Sequence, residues 1–170
     1  ITPQPKTAPK LFLGGMAPPA IDRAARIADG FLCTGGIGMD TYVECLAANG
    51  KSPEEGNIIL GCWAIIAEDP EAEAAIVGDH VLYQSNEYIR WGAFGPPDQT
   101  PLFPDSRTAI ENGLYELWDA DMAVEKLSGM IEQYPQISDI HFWAQFPGES
   151  IETGNRRMAY IAEKVLPRLR

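Results

Sequence analysis

The chain has 170 residues, 45% of them hydrophobic, and a formal net charge of −11 at pH 7. This length and apolar content suit one domain with a buried core, so we predict a single domain over residues 1–170. The charge argues against nucleic acid and anionic membranes as partners, because its long-range field repels both. No apolar run approaches the roughly 20 residues that a membrane span requires.

The cysteines argue against a metal site and against a disulfide framework. Cys33, Cys45 and Cys62 lack the spacing of a metal site, and an odd, sparse set suits a reducing compartment better than a disulfide framework. No signal-peptide pattern opens the chain, so we expect a cytoplasmic protein without a metal. The chain begins at Ile1 with a proline-rich stretch, which we interpret as a connector that continues an upstream segment.

Hydrophobic periodicity predicts four strand–helix units in chain order. The first two are a strand at 11–13, a helix from about Pro19, a strand at 31–33, and a helix from near Asp40 to Asn49-Gly50. The third is a strand at 58–67, apolar throughout and so covered on both faces, with a helix over 71–91. An irregular insertion follows at about 92–119, with a short helix at 108–117. The chain ends with a helix over 122–133, a strand at 137–146 and a helix over 151–166. The last helix is expected to bury Met158, Ile161, Ala162 and Val165.

Four βα units can form an open sheet or half of an eight-stranded barrel. Half a barrel leaves its inner face and two strand edges exposed, and therefore requires a second copy or the missing half. We favour the α/β fold class with a (βα)4 half of a TIM-type (β/α)8 barrel, completed by self-association.

Paired glycines follow each of the first two strands. Gly14-Gly15 and Gly35-Gly36 each stand between a strand and a helix, where a backbone can approach a ligand closely. The helix beyond offers free N–H groups to an anion. The plainer alternative is that these glycines only allow tight turns.

Five segments together resemble the luciferase-like flavin-dependent oxidoreductases. They are residues 9–15 (PKLFLGG), 24–31 (AARIADGF), 146–149 (FPGE) and 162–169 (AEKVLPRL), with residues 31–36 (FLCTGG) similar to the branch that uses a deazaflavin coenzyme. Members of this family are (β/α)8 barrels of about twice this length. The resemblance covers only their C-terminal half, strands five to eight.

The resemblance implies a cofactor-binding site at the ends of the first two strands. By position, the cofactor phosphate would be held by the backbone of Gly14 and Gly15, the hydroxyl of Thr34 and the backbone of Gly35 and Gly36. The cofactor would be FMN or a deazaflavin coenzyme of the F-420 type. Ile37 replaces a lysine that some relatives use for a phosphorylated substrate, and Asp40 places an unfavourable negative charge nearby.

The expected function is accordingly a flavin- or deazaflavin-dependent oxidoreductase or monooxygenase acting on a small molecule, or a fragment of one. Its catalytic residues stay unassigned, because the family draws many of them from the absent half. The alternative is a non-catalytic, self-associating half-barrel scaffold or small-molecule binding protein.

Other chemistry-bearing residues have plainer explanations. We interpret His141 as a hydrogen-bonded core or interface residue and His80 as a surface residue. Trp63 and Trp143, in predicted strands, fit core positions better than a ring-stacking site. Arg90 and Arg107 are interpreted as solvated arginines. Asp69-Pro70 opens the third helix, and the acidic residues there are interpreted as a helix start with a solvated face; they are Glu68, Asp69, Glu71 and Glu73.

Overall fold

The computed structural model describes residues 5–112, 115–143 and 145–169. The strands are β1 (Phe12–Gly14), β2 (Gly30–Thr34), β3 (Ile58–Cys62), β4 (Ala64–Ile66), β5 (Glu116–Trp118) and β6 (Ile137–Phe142). The helices are α1 (Pro18–Ile27), α2 (Met39–Ala48), α3 (Pro70–Arg90), α4 (Ser106–Glu111), α5 (Ala120–Gln133) and α6 (Ile151–Tyr160). A π-helical turn (Ile161–Val165) and a 3-10 turn (Leu166–Arg168) extend α6.

These elements form two compact units. The first contains the described residues up to Cys62 together with Met130–His141, and the second contains Trp63–Gly129 and the described residues from Phe142 onward. Among the described residues, no helix is long and apolar enough to cross a membrane.

The first unit is built on a four-stranded sheet in the order β1-β2-β3-β6. The β1–β2 and β2–β3 pairs are parallel, with Phe12 opposite Gly30 and Phe31 opposite Ile58. Gly30 leaves room for the Phe12 ring, since a Cβ at Gly30 would lie 2.3 Å from Phe12 Cε1. β1 and β6 are the outer strands of this sheet.

One face of this sheet is covered by helices. Phe31 is buried and stacks on Tyr42 of α2 at 5.2 Å between ring centroids. On α1, Ile21, Ala24 and Ala25 are buried at helical spacing. Leu32 alternates with the buried strand residues and is 40% exposed. The alternation shows that the opposite face of β2 lacks comparable cover.

The second unit has a core of aliphatic and aromatic side chains. Its central residues are Ile65, Ala74, Val77, Val81, Tyr115 and Phe146. β4 supplies Ile65 and pairs in parallel with β5. α3 starts where predicted, because Asp69 caps the helix by accepting from Ala72 N and Pro70 fills the first turn.

The predicted third strand is wrong in one respect. The apolar run at 58–67 is interrupted at Trp63, and its two parts belong to different sheets. Trp63 O accepts a hydrogen bond from Glu116 N at 3.0 Å, which starts the pairing of β4 with β5. The predicted helix at 108–117 is correspondingly shorter, since α4 ends at Glu111 and β5 follows.

The C-terminal elements also differ from prediction. β6 ends at Phe142, before the predicted limit at Phe146, and residue 144 lies outside the described residues. In the last helix Ile161 and Val165 are buried, but Met158 is 44% exposed and Ala162 is exposed. Met158 and Ala162, four residues apart, share one side of this segment, and the buried Ile161 and Val165 share another.

Candidate functional site

The turn after β2 depends on glycine. Gly35, Gly36 and Gly38 have φ values of +57°, +82° and +85°, which side chains with a Cβ rarely adopt. Gly35 N donates to Gly61 O at 2.8 Å, and Ile37 N donates to Thr34 O at 3.0 Å. No described atom lies within 4 Å of a Cβ built on Gly35, so the turn borders open space there.

Cys33 closes this turn from the buried side. Its thiol donates to Ile37 O at 3.5 Å, and Gly36 N–H points back at its sulfur. Burial raises the pKa of Cys33 to about 11, although the Gly36 N–H acts in the opposite direction. Cys33 is therefore a neutral thiol at physiological pH, and the Gly36 donor is directed inward.

The first turn of α2 presents backbone donors. Its N-cap, Gly38, carries no side chain, and Tyr42 N makes the first helical bond to Gly38 O at 2.9 Å. The N–H groups of Met39, Asp40 and Thr41 precede that bond and lie outside the helical ladder. This is the arrangement that a bound anion can satisfy.

The turn after β1 is less well equipped. α1 begins with Pro18 and Pro19, which have no N–H, and Ala20 N donates to Ala17 O at 2.9 Å. Gly15 also has a packing role, since a Cβ there would lie 2.5 Å from Ala20 Cβ. Any donors after β1 must therefore come from the turn itself and not from the helix.

The five predicted site residues meet at one edge of the first unit's sheet. Gly14 is opposite Leu32 in the β1–β2 pair, so Gly14 and Thr34 lie near the carboxyl ends of neighbouring parallel strands. Thr34 is half-buried and is the last residue of β2. The N–H groups of Gly35 and Gly36 already have partners within the protein, and the unengaged donors that follow them are those of the first turn of α2.

Asp40 has a partner that the sequence did not indicate. Tyr134 Oη donates to Asp40 Oδ1 at 2.7 Å across 94 positions in the sequence. This hydrogen bond, with smaller contributions from burial and neighbouring negative groups, raises the pKa of Tyr134 to about 12. No sequence pattern connects two residues this far apart.

The aromatic candidates and His80 lie in the second unit. Trp63 stacks on Tyr115 at 5.1 Å and meets Trp143 edge-on at 5.7 Å, so both tryptophans pack against the core. His80 Nδ1 lies 3.0 Å from Pro147 O. His141 is exposed near the end of β6, which contradicts a core position, and its interpretation as an interface residue stays a prediction.

The two arginine candidates are solvated, as predicted. Arg90 is paired with Glu87, and Arg107 with Glu111, in exposed ion pairs on α3 and α4. Arg107 also borders a cleft of about 430 Å³ between these two helices, lined mainly by Glu71, Ala74, Ala75, Ser106, Ile110 and Leu117. Such exposed pairs contribute little to stability.

A buried ion cluster was missed by the sequence analysis. Arg157, 2% exposed, bonds Glu73 Oε1 at 2.8 Å and both oxygens of Glu149 at 2.5 and 2.6 Å. Arg156 bonds the other oxygen of Glu73 at 2.7 Å. The interpretation of Glu73 as a solvated residue is therefore wrong, since it is 5% exposed. A run of acidic residues at a helix start does not reveal which one faces an arginine 84 positions away.

Comparison with known proteins gives the fold context. Residues 1–126 match the family model described as luciferase-like monooxygenase. No curated protein sequence matches the chain.

Solved structures match almost the whole chain. An F420-dependent secondary alcohol dehydrogenase in complex with an F420–acetone adduct is 15% identical, with a TM-score of 0.60 over 99% of this chain and 51% of that one. The coenzyme F420 dependent tetrahydromethanopterin reductase from Methanopyrus kandleri is 18% identical, with a TM-score of 0.56 over 95% and 51%. The FMN complex of the oxygenating constituent of 3,6-diketocamphane monooxygenase from Pseudomonas putida is 14% identical, with a TM-score of 0.60 over 96% and 50%.

The chain thus spans about half the length of these solved structures. The neighbours are TIM-barrel enzymes, so the predicted α/β class is confirmed and the match is consistent with a half-barrel.

Proposed function

The chain belongs to the luciferase-like monooxygenase family, and on that premise we propose that it is a flavin- or deazaflavin-dependent oxidoreductase of that class, or a part of one. The neighbours whose names mention a cofactor carry F420 or FMN. We propose that this chain binds the phosphate of such a cofactor at the carboxyl ends of β1 and β2.

The observation that carries this proposal is the open first turn of α2 beside Thr34. Backbone N–H groups and a hydroxyl are suitable neutral donors for a phosphate. The segment from Thr34 to Asp40 contains no basic residue, so these donors must suffice. The open space next to Gly35 leaves room for the ligand. The residues present therefore fit a phosphate, with Asp40 as the one opposing charge.

In this proposal the chain positions the cofactor. A bound flavin or deazaflavin supplies the hydride-transfer or oxygen chemistry itself. The Thr34 hydroxyl donates a hydrogen bond to a phosphate oxygen. The N–H groups of Met39 and Thr41, at the positive end of the α2 dipole, attract the phosphate charge. Gly14 and Gly15 keep the neighbouring turn free of side-chain bulk.

The test is a titration of the purified chain with FMN and, separately, with the F-420 coenzyme, followed by flavin fluorescence. Loss of one hydrogen bond to a charged group weakens binding roughly ten- to hundredfold, so we expect this loss in Thr34→Val. Thr100→Val is the matched control, because Thr100 is in the second unit and its hydroxyl bonds Pro96 O. Equal affinities for wild type and Thr34→Val would contradict the proposed site.

A second candidate function is a self-associating half-barrel that binds a small molecule without catalysis. The observation that favours it is the pair of outer strands, β1 and β6, of the first unit's sheet. A second copy could pair its own β1 with β6, and so remove both edges. Light scattering on the titrated samples measures the mass. A dimer that binds neither cofactor would support this candidate over the enzyme.

A further inference from the structure

We propose that Tyr134 is a positioning residue that holds the Asp40 carboxylate away from the N–H groups of the first turn of α2. The relevance of this contact to ligand binding rests on the proposed function, but the contact itself does not.

Asp40 has a competing set of donors. As the second residue of α2, it stands within the turn whose N–H groups lie outside the helical ladder. At the starts of α3 and α4 the N-cap residues Asp69 and Asp105 accept from N–H groups of the first turn, whereas Asp40 stands two positions after its N-cap, Gly38. The Asp40 carboxylate instead accepts from Tyr134 Oη at 2.7 Å.

The phenol is itself held in place. Gln133 Nε2 donates to Tyr134 Oη at 3.0 Å, so the hydroxyl proton remains for Asp40. Accepting one hydrogen bond strengthens the one that a hydroxyl donates.

The consequence concerns the charge that an incoming anion meets. A carboxylate bonded to the first-turn N–H groups would occupy the donors that a phosphate needs. A carboxylate bonded to Tyr134 leaves those donors available, although its charge still opposes the anion. Through this hydrogen bond, Tyr134 allows the turn to contain an acidic residue and still offer N–H donors to an anion.

The test is a double-mutant cycle with Tyr134→Phe and Asp40→Asn. The interaction of one charged group with a helix start contributes a free energy equivalent to about two- to fivefold in affinity. We therefore expect Tyr134→Phe to weaken FMN binding by about that factor. Asp40→Asn is expected to strengthen it by a similar factor. In the Asp40→Asn background, Tyr134→Phe is expected to change nothing, because no carboxylate remains to be held. Tyr83→Phe, which removes an exposed tyrosine hydroxyl in the second unit, is the control.

A second readout needs no ligand. NMR follows the amide protons of Met39, Asp40 and Thr41 from pH 7 to pH 3. In Tyr134→Phe we expect the chemical shifts of these amide protons to change on carboxylate ionisation far more than in wild type. We expect this larger change in chemical shift to be absent from the double variant. Equal titration in wild type and Tyr134→Phe would overturn the inference.

The two readouts separate the two proposals. Absence of FMN and phosphate binding in every variant, with the NMR difference present, would refute the proposed function and retain the role of Tyr134. Cofactor binding that is the same in wild type and Tyr134→Phe would refute the role of Tyr134 and retain the proposed function. If Tyr134→Phe does not fold, the NMR titration of the wild type decides. The amide of Ala72, which donates to the Asp69 carboxylate, is the internal reference, and shifts of the Met39 and Thr41 amides as large as that of Ala72 would contradict the inference.

Discussion

Replacing Arg157 with Met removes a guanidinium that lies between two buried carboxylates in the second unit. Arg157 makes hydrogen bonds to Glu73 and to both carboxylate oxygens of Glu149, and it packs over the Phe146 ring at 5.2 Å. Met keeps much of the aliphatic stem, so the principal loss is the charge and its bonds.

The expected magnitude follows from what the variant leaves behind. Glu149 retains the Phe146 N–H at 2.8 Å, and Glu73 retains Arg156. Removing one partner from a buried ion cluster costs about 3–5 kcal/mol, because the remaining charge is inadequately compensated. We expect the free energy of unfolding to fall by this amount at pH 7.

Arg156→Met is a matched control in the adjacent position. Arg156 makes one ion pair to Glu73, but its side chain is 56% exposed. Exposed pairs contribute about 0–1 kcal/mol. Urea denaturation measures both variants, with tryptophan fluorescence as the signal, since all four tryptophans lie in the second unit.

The cost is also expected to depend on pH. Burial by itself would raise the pKa of Glu149, but hydrogen bonds from Arg157 and the Phe146 N–H outweigh it and hold the pKa below its ordinary value. A lowered folded-state pKa stabilises the protein above the unfolded-state pKa, and that contribution is lost as the pH falls through the folded value. The difference between wild type and Arg157→Met is therefore largest at pH 7 and shrinks below about pH 4. A loss under about 1 kcal/mol at pH 7, or one equal to that of Arg156→Met, would refute the reasoning.

Three further predictions concern individual residues. Gly15→Ala is expected to lower the free energy of unfolding by about 1–3 kcal/mol through its clash with Ala20, and thermal denaturation checks this. Gly129→Ala is expected to raise it by about 0.5–1 kcal/mol, because Gly129 lies inside α5 and no described atom lies within 4 Å of the place its new methyl group would take; a lower melting temperature would contradict this. Cys33 is expected to resist a thiol reagent at pH 8 in the native state and to react on denaturation, since its thiol is buried and its pKa is about 11. Reaction of native Cys33 at the rate of a free thiol would show that the turn opens.

Local signals in the sequence were sufficient for two of the helix boundaries. Asp69-Pro70 predicts the start of α3, and Asn49 with Gly50 predicts the end of α2, because caps and breakers act over a few residues. The paired glycines likewise predicted the turns that follow β1 and β2, and the cofactor site proposed there stays a prediction.

Long-range pairing was not predictable in the same way. The interruption at Trp63 falls within an apolar run, and its cause is a three-residue strand, β5, about 50 positions later. Hydrophobic periodicity records burial and not the partner, so it could not indicate which sheet each half would join. The contacts of Tyr134 with Asp40 and of Arg157 with Glu73 escaped prediction for the same reason.

The open edges of the first unit's sheet also affect how the protein behaves in concentrated solution. β1 and β6 each lack a further strand among the described residues, and exposed strand edges invite pairing between copies. The net charge of −11 opposes that approach through mutual repulsion. Dissolved salt shortens the range of this repulsion, from about 8 Å at 0.15 M ionic strength to about 3 Å at 1 M. The acidity that argues against nucleic-acid partners is thus also expected to oppose association between copies, and we expect the average mass in solution to rise when salt is added.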